Sequence, residues 1–555
     1  MESYSSYLSR QQTILKYWLT MQFGGAYKWT SLQHNGVWFP PEYIPHGQPL
    51  LYQGKNIYLT PLAEECAMLY AKYIGSDYVL NKTFNKNFWN DWKKILGMQS
   101  GRNEMGKDSE IQSLDGCDFT KYQEILIKSK ELKKLNQENE KEAIDLEKYK
   151  IALVDGKEQP VGNFRMEPPG IFLGRGANPN IGKIKPRIDP EDITINIGKD
   201  AIIPETLAGH KWGKVIHDRH VEWLASWKDE ITGKTKYMWL GAHSEFKASS
   251  DEQKFDAARR LKRKIDSIRE ENAKNLLNPD IKVRQIATAL YFIDKFALRV
   301  GNEKNLSQQS DTVGVTSLRV EHIELLPDNM IVLDFLGKDG VRYYNKLAVE
   351  PLIYQNLKEF IEGKDKDQEL FNLINSNDVN KYLQTFMKDL TAKMFRTMNA
   401  SAVFQRELRK ISKKYEGSTD VTLLLDEFNK ANGVVATLCN HQKAIGKSFK
   451  GQVEKVDTMI KKIKAQIRKV KTSSSVSKGE KLDKLRDKLK KAKSKKELKM
   501  GLKNISLGTS KQNYIDPRIS VSFMKKHNLP IDKVFSKALR DKFAWAFSVD
   551  QNFKF

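Results

Sequence analysis

The sequence predicts an α+β multidomain protein, and three observations carry that reading. At 555 residues the chain holds three or four units of about 150 residues each. Short alternating stretches broken by glycine turns crowd the first half, whereas apolar spacings of three and four dominate the second. Late in the chain, two long helical patterns split by a Ser-rich break pair into an antiparallel coiled-coil hairpin. With 40% hydrophobic residues the chain can bury a core, which excludes global disorder. A mean hydropathy of −0.58 and the want of an apolar run near 18 residues argue against a membrane span.

The elements follow in order. Residues 27 to 98 are aromatic-rich, with Trp29, Trp38, Trp89 and Trp92, and read as a compact lobe of short strands and helices. Residues 121 to 150 form a charged helical pattern that ends before the turn signal Val154-Asp-Gly156. The stretch from Glu167-Pro-Pro-Gly170 to Gly174-Arg175-Gly176 reads as irregular loop. Val221 to Leu240 reads as two strands around Thr232-Gly233. From Phe255 to about Ser448 the pattern is mainly helical. It contains one hairpin, in which Met330–Leu336 and Val341–Tyr344 are joined through Gly337-Lys-Asp-Gly340. Val453, Val456, Ile460, Ile463, Ile467 and Val470, then Leu482, Leu485, Leu489 and Ala492, form the seam of the coiled-coil arm.

The charge has a location. The chain carries 94 Lys and Arg against 69 Asp and Glu, a net +25, and residues 452 to 503 alone hold 19 against 6. Such a balance implies an anionic partner, most simply nucleic acid, with the arm held to a backbone by phosphate attraction or serving as solvated helix surface. Three scattered cysteines, Cys66, Cys117 and Cys439, match no metal spacing and suit a reducing compartment. The first residues, Met1-Glu-Ser-Tyr-Ser, do not read as a secretory signal.

Cofactor motifs are wanting. Gly446-Lys447-Ser448 resembles the end of a phosphate-binding loop, but His441 stands where its first glycine belongs. The acids of Asp365-Lys-Asp367-Gln-Glu369 read as solvated loop. What remains is basic residues at element ends. Ile286, Leu290, Ile293 and Ala297 mark a helix stopping at Gly301, with Arg299 in its last turn, where an arginine also suits the helix dipole. Lys338 falls on a hairpin tip, as a plain surface lysine would. Lys393 and Arg396 are three apart on a helical pattern. His441 follows Val434, Val435 and Leu438, the setting of a hydrogen-bonded core histidine. Tyr514 lies between Gly508 and Pro517, where an isolated tyrosine ordinarily packs.

Taken together these residue types suit attack on a phosphodiester. Two arginines and a histidine supply fixed donors for the charge that gathers on the nonbridging oxygens. A lysine on a tip can protonate the departing 5′ oxygen. A tyrosine, ordinarily near pKa 10, can attack if cations favour its phenolate. No metal and no ATP is needed.

At these residues the chain closely resembles the eukaryotic-type DNA topoisomerase IB family, from about Tyr27 to Phe555. The matching strings include Pro190-Glu-Asp-Ile193, Ala258-Arg-Arg-Leu-Lys262, Ala289-Leu-Tyr-Phe-Ile-Asp-Lys295, Gly301-Asn-Glu-Lys304, Phe335-Leu-Gly-Lys-Asp339, Leu438-Cys-Asn-His-Gln442 and Leu507-Gly-Thr-Ser-Lys-Gln-Asn-Tyr-Ile-Asp-Pro-Arg518. The resemblance implies that Tyr514 is the nucleophile of a 3′-phosphotyrosyl bond and that Arg299 and Arg396 clamp the scissile phosphate. It implies that His441 bonds a nonbridging oxygen and that Lys338 is the general acid. Arg175, Asp339 and Asn513 match residues beside the break, where camptothecin-type poisons stack in this family; Lys393 and Thr509 join them as expected DNA contacts. No cofactor is expected, and the expected partner is double-stranded DNA, preferably supercoiled, bound by a monomer with no membrane attachment.

The implied architecture is a bilobed clamp. It comprises a short N-terminal segment (1–25), a mixed α/β capping lobe (26–245), a mainly helical, tyrosine-recombinase-like catalytic lobe (246–448), a basic coiled-coil linker (449–503) and a C-terminal domain (504–555). Cellular members usually carry a long charged N-terminal tail, and about 25 residues stand here. The expected location is therefore the nucleus for a cellular protein, or a viral factory, virion or cytoplasm for a viral one. Two rival readings are a tyrosine recombinase, which typically has His-x-x-Arg where this chain has Lys393-Met-Phe-Arg396, and a non-catalytic DNA-binding protein.

Overall fold

The computed structural model describes residues 27–98, 111–136, 146–302, 310–443, 445–446, 448–472 and 478–555. The expected N-terminal segment 1–25 lies outside the described residues. The architecture is mixed α and β with several small sheets, and the chain divides into two compact units. One comprises Met1–Lys247 with Asn305–Asp311, the other Ala248–Lys304 with Thr312–Phe555.

The first unit holds two cores. In one, the helices Pro61–Ala71 and Lys82–Met98 pack with the helix Thr120–Asn136 and the strand Leu50–Tyr52 around Phe84, Phe88, Trp92 and Tyr122. In the other, the strand Leu32–His34 pairs with Ile151–Val154, itself paired with Lys157–Pro160. Beside them a four-stranded sheet runs in the order Lys214–Ile216, Ile193–Asn196, Trp223–Lys228, Thr235–Trp239. The aromatic stretch 27–98 is therefore not one lobe. Trp29 belongs to the second core and Trp92 to the first, because the Leu32–His34 strand is drawn away by its long-range pairing.

Local sequence explains the turns. Asp155 (φ 51°) and Gly156 (φ 76°) supply the two positive-φ positions of the hairpin between Ile151–Val154 and Lys157–Pro160. The charged helix expected over 121–150 is seen as Thr120–Asn136, followed among the described residues by a short turn at Glu147–Lys150.

In the second unit the helix Ala392–Lys414 is central. It packs against the helices Val421–Leu438, Ile281–Lys295 and Pro517–Lys526. Phe395 and Phe404 are sealed inside, Phe404 meeting Phe428 edge-on at 5.2 Å between ring centroids. Asp280, Asp420 and Asp516 cap helices by accepting from backbone N–H groups two residues on. The expected hairpin spans Met330–Gly337 and Val341–Ala348 and gains a third strand, Ile323–Leu326. Its register closes at Gly337 opposite Val341, so Lys338, Asp339 and Gly340 form the tip. Asp339 (φ 69°) and Gly340 (φ 73°) turn it through the left-handed region.

The helix expected to stop at Gly301 ends six residues earlier, at Lys295. Phe296 caps the helix and Ala297 takes φ 51°, so Arg299 stands in an irregular strap rather than a last helical turn. The strap is clamped by Val315 N–H to the Arg299 carbonyl (2.9 Å) and Thr316 N–H to the Val300 carbonyl (2.7 Å). The clamp is close enough that a Cβ on Gly314 would lie 2.4 Å from Gly301 Cα and 2.8 Å from the Arg299 carbonyl oxygen. Glycine is required there on steric grounds.

The basic segment forms two helices, Phe449–Lys471 and Lys478–Gly501. They bury Val456, Ile460, Ile463 and Ala492 between them, with Ile467, Leu485 and Leu489 alongside. Lys496 meets Asp457 at 2.6 Å, and Lys499 donates to Gln452 at 2.9 Å. As one partner number rises the other falls, so the helices run in opposite directions.

Two outcomes follow from the first unit. Trp92 is fully buried, and Trp92→Ala is expected to cost about 3–5 kcal/mol, read as a lowered urea midpoint. His34 is also buried, with Nε2 against the Asn196 carbonyl (3.1 Å) and Nδ1 accepting from Gly36 N–H. Burial, partly offset by backbone hydrogen bonds, lowers its pKa from 6.5 to about 4. Between those values the unfolded chain binds the proton and the folded chain does not. The stabilisation is therefore intact above pH 6.5 and lost as pH falls toward 4, on the order of 3 kcal/mol. Unfolding free energies of wild type and His34→Gln from pH 7 to 4 should diverge in slope; parallel curves would contradict the assignment.

Candidate active site

Four predicted residues meet in the second unit. Tyr514 caps the short helix Leu507–Asn513, its N–H donating to the Ser510 carbonyl at 3.0 Å. Its own carbonyl accepts from Ser401 Oγ at 3.1 Å, and the same hydroxyl accepts from Asp516 N–H at 3.0 Å. Ser401 lies on the Ala392–Lys414 helix, as does Arg396, so one helix fixes both the tyrosine backbone and a cation beside it.

Arg396 is buried. Its guanidinium donates to the Ala297 carbonyl and, at 3.0 Å, to the Cys439 carbonyl. The guanidinium carbon stands 5.0 Å from the centroid of the Tyr514 ring. The unusual backbone at Ala297, just past the end of the Ile281–Lys295 helix, thus presents an acceptor to Arg396. Arg299, two residues on, is exposed, yet its charge reaches both Tyr514 and His441.

His441 follows the Val421–Leu438 helix through Asn440, whose φ is 52°. Its ring is buried, 5.2 Å from the Tyr514 ring between centroids. Nδ1 lies 2.8 Å from Ser510 Oγ. Its N–H donates to the Ala436 carbonyl, and its carbonyl accepts from Ser506 N–H, each at 2.8 Å.

The electrostatics are asymmetric. Burial would push the Tyr514 phenol up, but the charges of Arg396 and Arg299, with hydrogen bonding from Arg396, bring its pKa below 10. Burial first, then the same two arginines, lower His441 from 6.5 to about 4, so its ring is neutral near pH 7. Arg396 Nε and His441 Nε2 are both buried without a hydrogen-bond partner among the described residues. Unpaired buried donors are costly. The open Arg396 N–H, with an unpaired ring nitrogen of His441 near it and a phenol under the charge of two arginines, forms a site shaped for an anion.

The remaining candidates are placed as follows. Lys338 and Asp339 are exposed on the hairpin tip. That hairpin is tied to the histidine segment, because Asn440 Nδ2 (3.3 Å) and Gln442 Nε2 (3.1 Å) both donate to the Arg342 carbonyl. Lys393 is exposed in the first turn of the Ala392–Lys414 helix, whereas Arg396, three residues on, is buried. Asn513 is exposed and donates to the Thr509 carbonyl at 3.2 Å, and Thr509 Oγ1 lies 3.2 Å from Ser506 Oγ. Arg175 lies in the first unit in a bend between Gly174 (φ 63°) and Gly176 (φ 62°), its carbonyl accepting from Ser310 Oγ at 2.7 Å. Ser401, Ser510, Asn440 and Gln442 were not singled out from sequence. Asn440 and Gln442 flank His441 in the string Leu438-Cys-Asn-His-Gln442, and that adjacency was the available signal. Among the described residues, no group of three or more His, Cys, Asp or Glu is placed to hold a metal ion.

Comparison with known proteins agrees along the chain. Residues 27–240 match the family profile described as eukaryotic DNA topoisomerase I, DNA binding fragment. Residues 243–474 match eukaryotic DNA topoisomerase I, catalytic core, and 486–555 match the C-terminal topoisomerase domain. DNA topoisomerase 1 alpha of Arabidopsis thaliana is 43% identical over 96% of this chain, which spans 60% of that relative's length. DNA topoisomerase 1 of Homo sapiens is 40% identical over 97% of the chain and 73% of its own length. The mitochondrial DNA topoisomerase I of Homo sapiens is 38% identical over 95% and 92%. A buried phenol among arginines and matches spanning both units lead to one assignment: this chain belongs to the eukaryotic DNA topoisomerase I family.

Proposed function

We propose that this chain is a type IB DNA topoisomerase, an isomerase that relaxes positive and negative supercoils by cutting, releasing and resealing one strand of duplex DNA. The observation that carries the reading is the buried Tyr514 phenol, 5.0 Å from the Arg396 guanidinium and lowered in pKa by Arg396 and Arg299, beside two buried nitrogens without a hydrogen-bond partner among the described residues. In this mechanism Tyr514, whose phenol gives its proton to solvent under the charges of Arg396 and Arg299, attacks a backbone phosphorus as the phenolate, forming a 3′-phosphotyrosyl bond as the bond to the 5′ oxygen breaks. Arg299, Arg396 and His441 stabilise the charge on the nonbridging oxygens. Lys338, carried on the hairpin tip, gives its proton to the departing 5′ oxygen. The free strand end then rotates under torsional stress, and the 5′ hydroxyl reverses the reaction. Each transesterification exchanges one phosphoester for another, so neither ATP nor a metal is required.

Arg175, Asp339, Asn513, Thr509 and Lys393 contact DNA near the break in this reading, and the first three form the surface for camptothecin-type inhibitors. The chain forms a bilobed clamp as a monomer, with a capping lobe at 26–245, a catalytic lobe at 246–448, a coiled-coil linker at 449–503 and the nucleophile's domain at 504–555. Its partner is double-stranded DNA, preferably supercoiled, and its location is the nucleus in a cellular host. The 19 Lys and Arg against 6 acids of the arm support a backbone-tracking role for it.

Pure protein incubated with supercoiled plasmid in EDTA without ATP is expected to yield a ladder of relaxed topoisomers, and Tyr514→Phe is expected to yield none and no covalent adduct. Relaxation by Tyr514→Phe at the wild-type rate would reject the nucleophile. Lys338→Ala is expected to slow cleavage by roughly 10²–10⁴-fold, with recovery on a duplex whose 5′ leaving group needs no proton. Absence of recovery would remove Lys338 from the general-acid role.

A further inference from the structure

Ser510 stands outside every role assigned above, yet it bonds two of the site's parts. Its side chain is fully buried, with Oγ 2.8 Å from His441 Nδ1. Its carbonyl accepts the N–H groups of both Tyr514 and Ile515, each at 3.0 Å. The hydroxyl thus touches the histidine ring while the main chain holds the tyrosine.

The direction of the hydroxyl bond follows by elimination. A buried O–H needs an acceptor, and among the described residues His441 Nδ1 is the partner that hydroxyl has. Were the ring proton on Nδ1, Ser510 would accept it and its own proton would be left buried and unpaired, a costly arrangement. Ser510 therefore donates, Nδ1 accepts, and the neutral ring carries its proton on Nε2. That nitrogen is buried and unpartnered among the described residues. Burial and the two arginines keep the ring from taking a second proton near neutral pH.

We propose that Ser510 is a positioning residue that locks His441 in the neutral Nε2–H tautomer, so that the ring's open position is a fixed hydrogen-bond donor for a nonbridging phosphate oxygen. The proposal rests on the reading of the Tyr514 cluster as a phosphodiester site. The other tautomer would present a lone pair to an anionic oxygen and repel it. The same bond keeps the imidazole in register with the Leu507–Asn513 helix, at whose end the nucleophile sits, so donor and attacking atom are set by one turn of chain.

The test uses the full chain labelled with ¹⁵N-histidine, the His441 resonances being identified by their loss in His441→Gln. Wild type is expected to show an unprotonated Nδ1 and a protonated Nε2, and Ser510→Ala a mixture of tautomers. Single-turnover adduct formation on a duplex oligonucleotide with a short releasable 5′ strand should slow roughly ten- to a hundredfold in Ser510→Ala. Binding of the same duplex should change less than about twofold, because Nε2 is one contact among many. Ser510→Thr, which keeps the hydroxyl, should stay within about threefold of wild type. A wild-type ring protonated on Nδ1, a wild-type rate in Ser510→Ala, or a Ser510→Thr as slow as Ser510→Ala would each overturn the proposal, and the first requires no variant at Ser510 to fold. Tyr514→Phe separates the two levels: persistent adduct there overturns the site itself, whereas its loss beside an unaffected Ser510→Ala overturns Ser510 alone.

Discussion

The arrangement depends on burying the Arg396 guanidinium. A charge taken from water must be met by fixed acceptors, and here they are the carbonyls of Ala297 and Cys439. Those carbonyls belong to segments far apart in sequence, the strap after the Ile281–Lys295 helix and the turn after the Val421–Leu438 helix. One side chain therefore fixes the approach of the strap bearing Arg299, the turn leading to His441 and the face of the Tyr514 ring. Burial of the His441 ring and then the charges of Arg396 and Arg299 lower the imidazole, and the same two charges bring the Tyr514 phenol below its ordinary value against the effect of its burial. Among the described residues the cation is held by neutral carbonyls and not by a carboxylate, so its field remains available to a phenolate and adds to burial in holding the imidazole neutral.

The supporting shell is made of small polar residues. Ser401 satisfies the Tyr514 carbonyl and Asp516 N–H together, in the middle of a helix where a serine would otherwise be a weak helix former. Asp516 in turn caps the Pro517–Lys526 helix and pairs with Arg518, which also reaches Asp256 at 2.8 Å. Tyr514 is thereby anchored on both chain sides before any ligand arrives, which is what a preorganised site requires.

Much of this was legible in the sequence where the signal was local. The Val341–Tyr344 strand, the Thr232-Gly233 turn and the seam from Val456 to Ala492 are periodic or turn-specified, and they stand where expected. The resemblance carried the candidate residues, since isolated Arg, His and Tyr carry no spacing of their own. Arg299 was misplaced because Ile286, Leu290, Ile293 and Ala297 keep helical spacing beyond the true helix end. Beyond the helix end the Ala297 carbonyl meets Arg396, about a hundred residues away, and periodicity cannot register such a contact. Ser401 and Ser510 were missed for the same reason: a serine gains its role from what a distant segment places beside it. The split of residues 27–98 between two cores likewise turns on strand partners more than a hundred positions downstream.

The root of the basic arm has a topological meaning. Lys443 N–H donates to the Asn504 carbonyl at 2.8 Å, Gln442 bridges Ile505, and Ser506 N–H reaches the His441 carbonyl. The polypeptide thus departs and returns through the same few bonds, and the excursion between them is closed at its base, with Lys491 further tying it to Asp420 at 2.7 Å. Loop-closure entropy grows only slowly with length, so the length of the excursion bears little on the docking of Tyr514. The length and charge of the arm can therefore vary while the surroundings of Tyr514 stay the same.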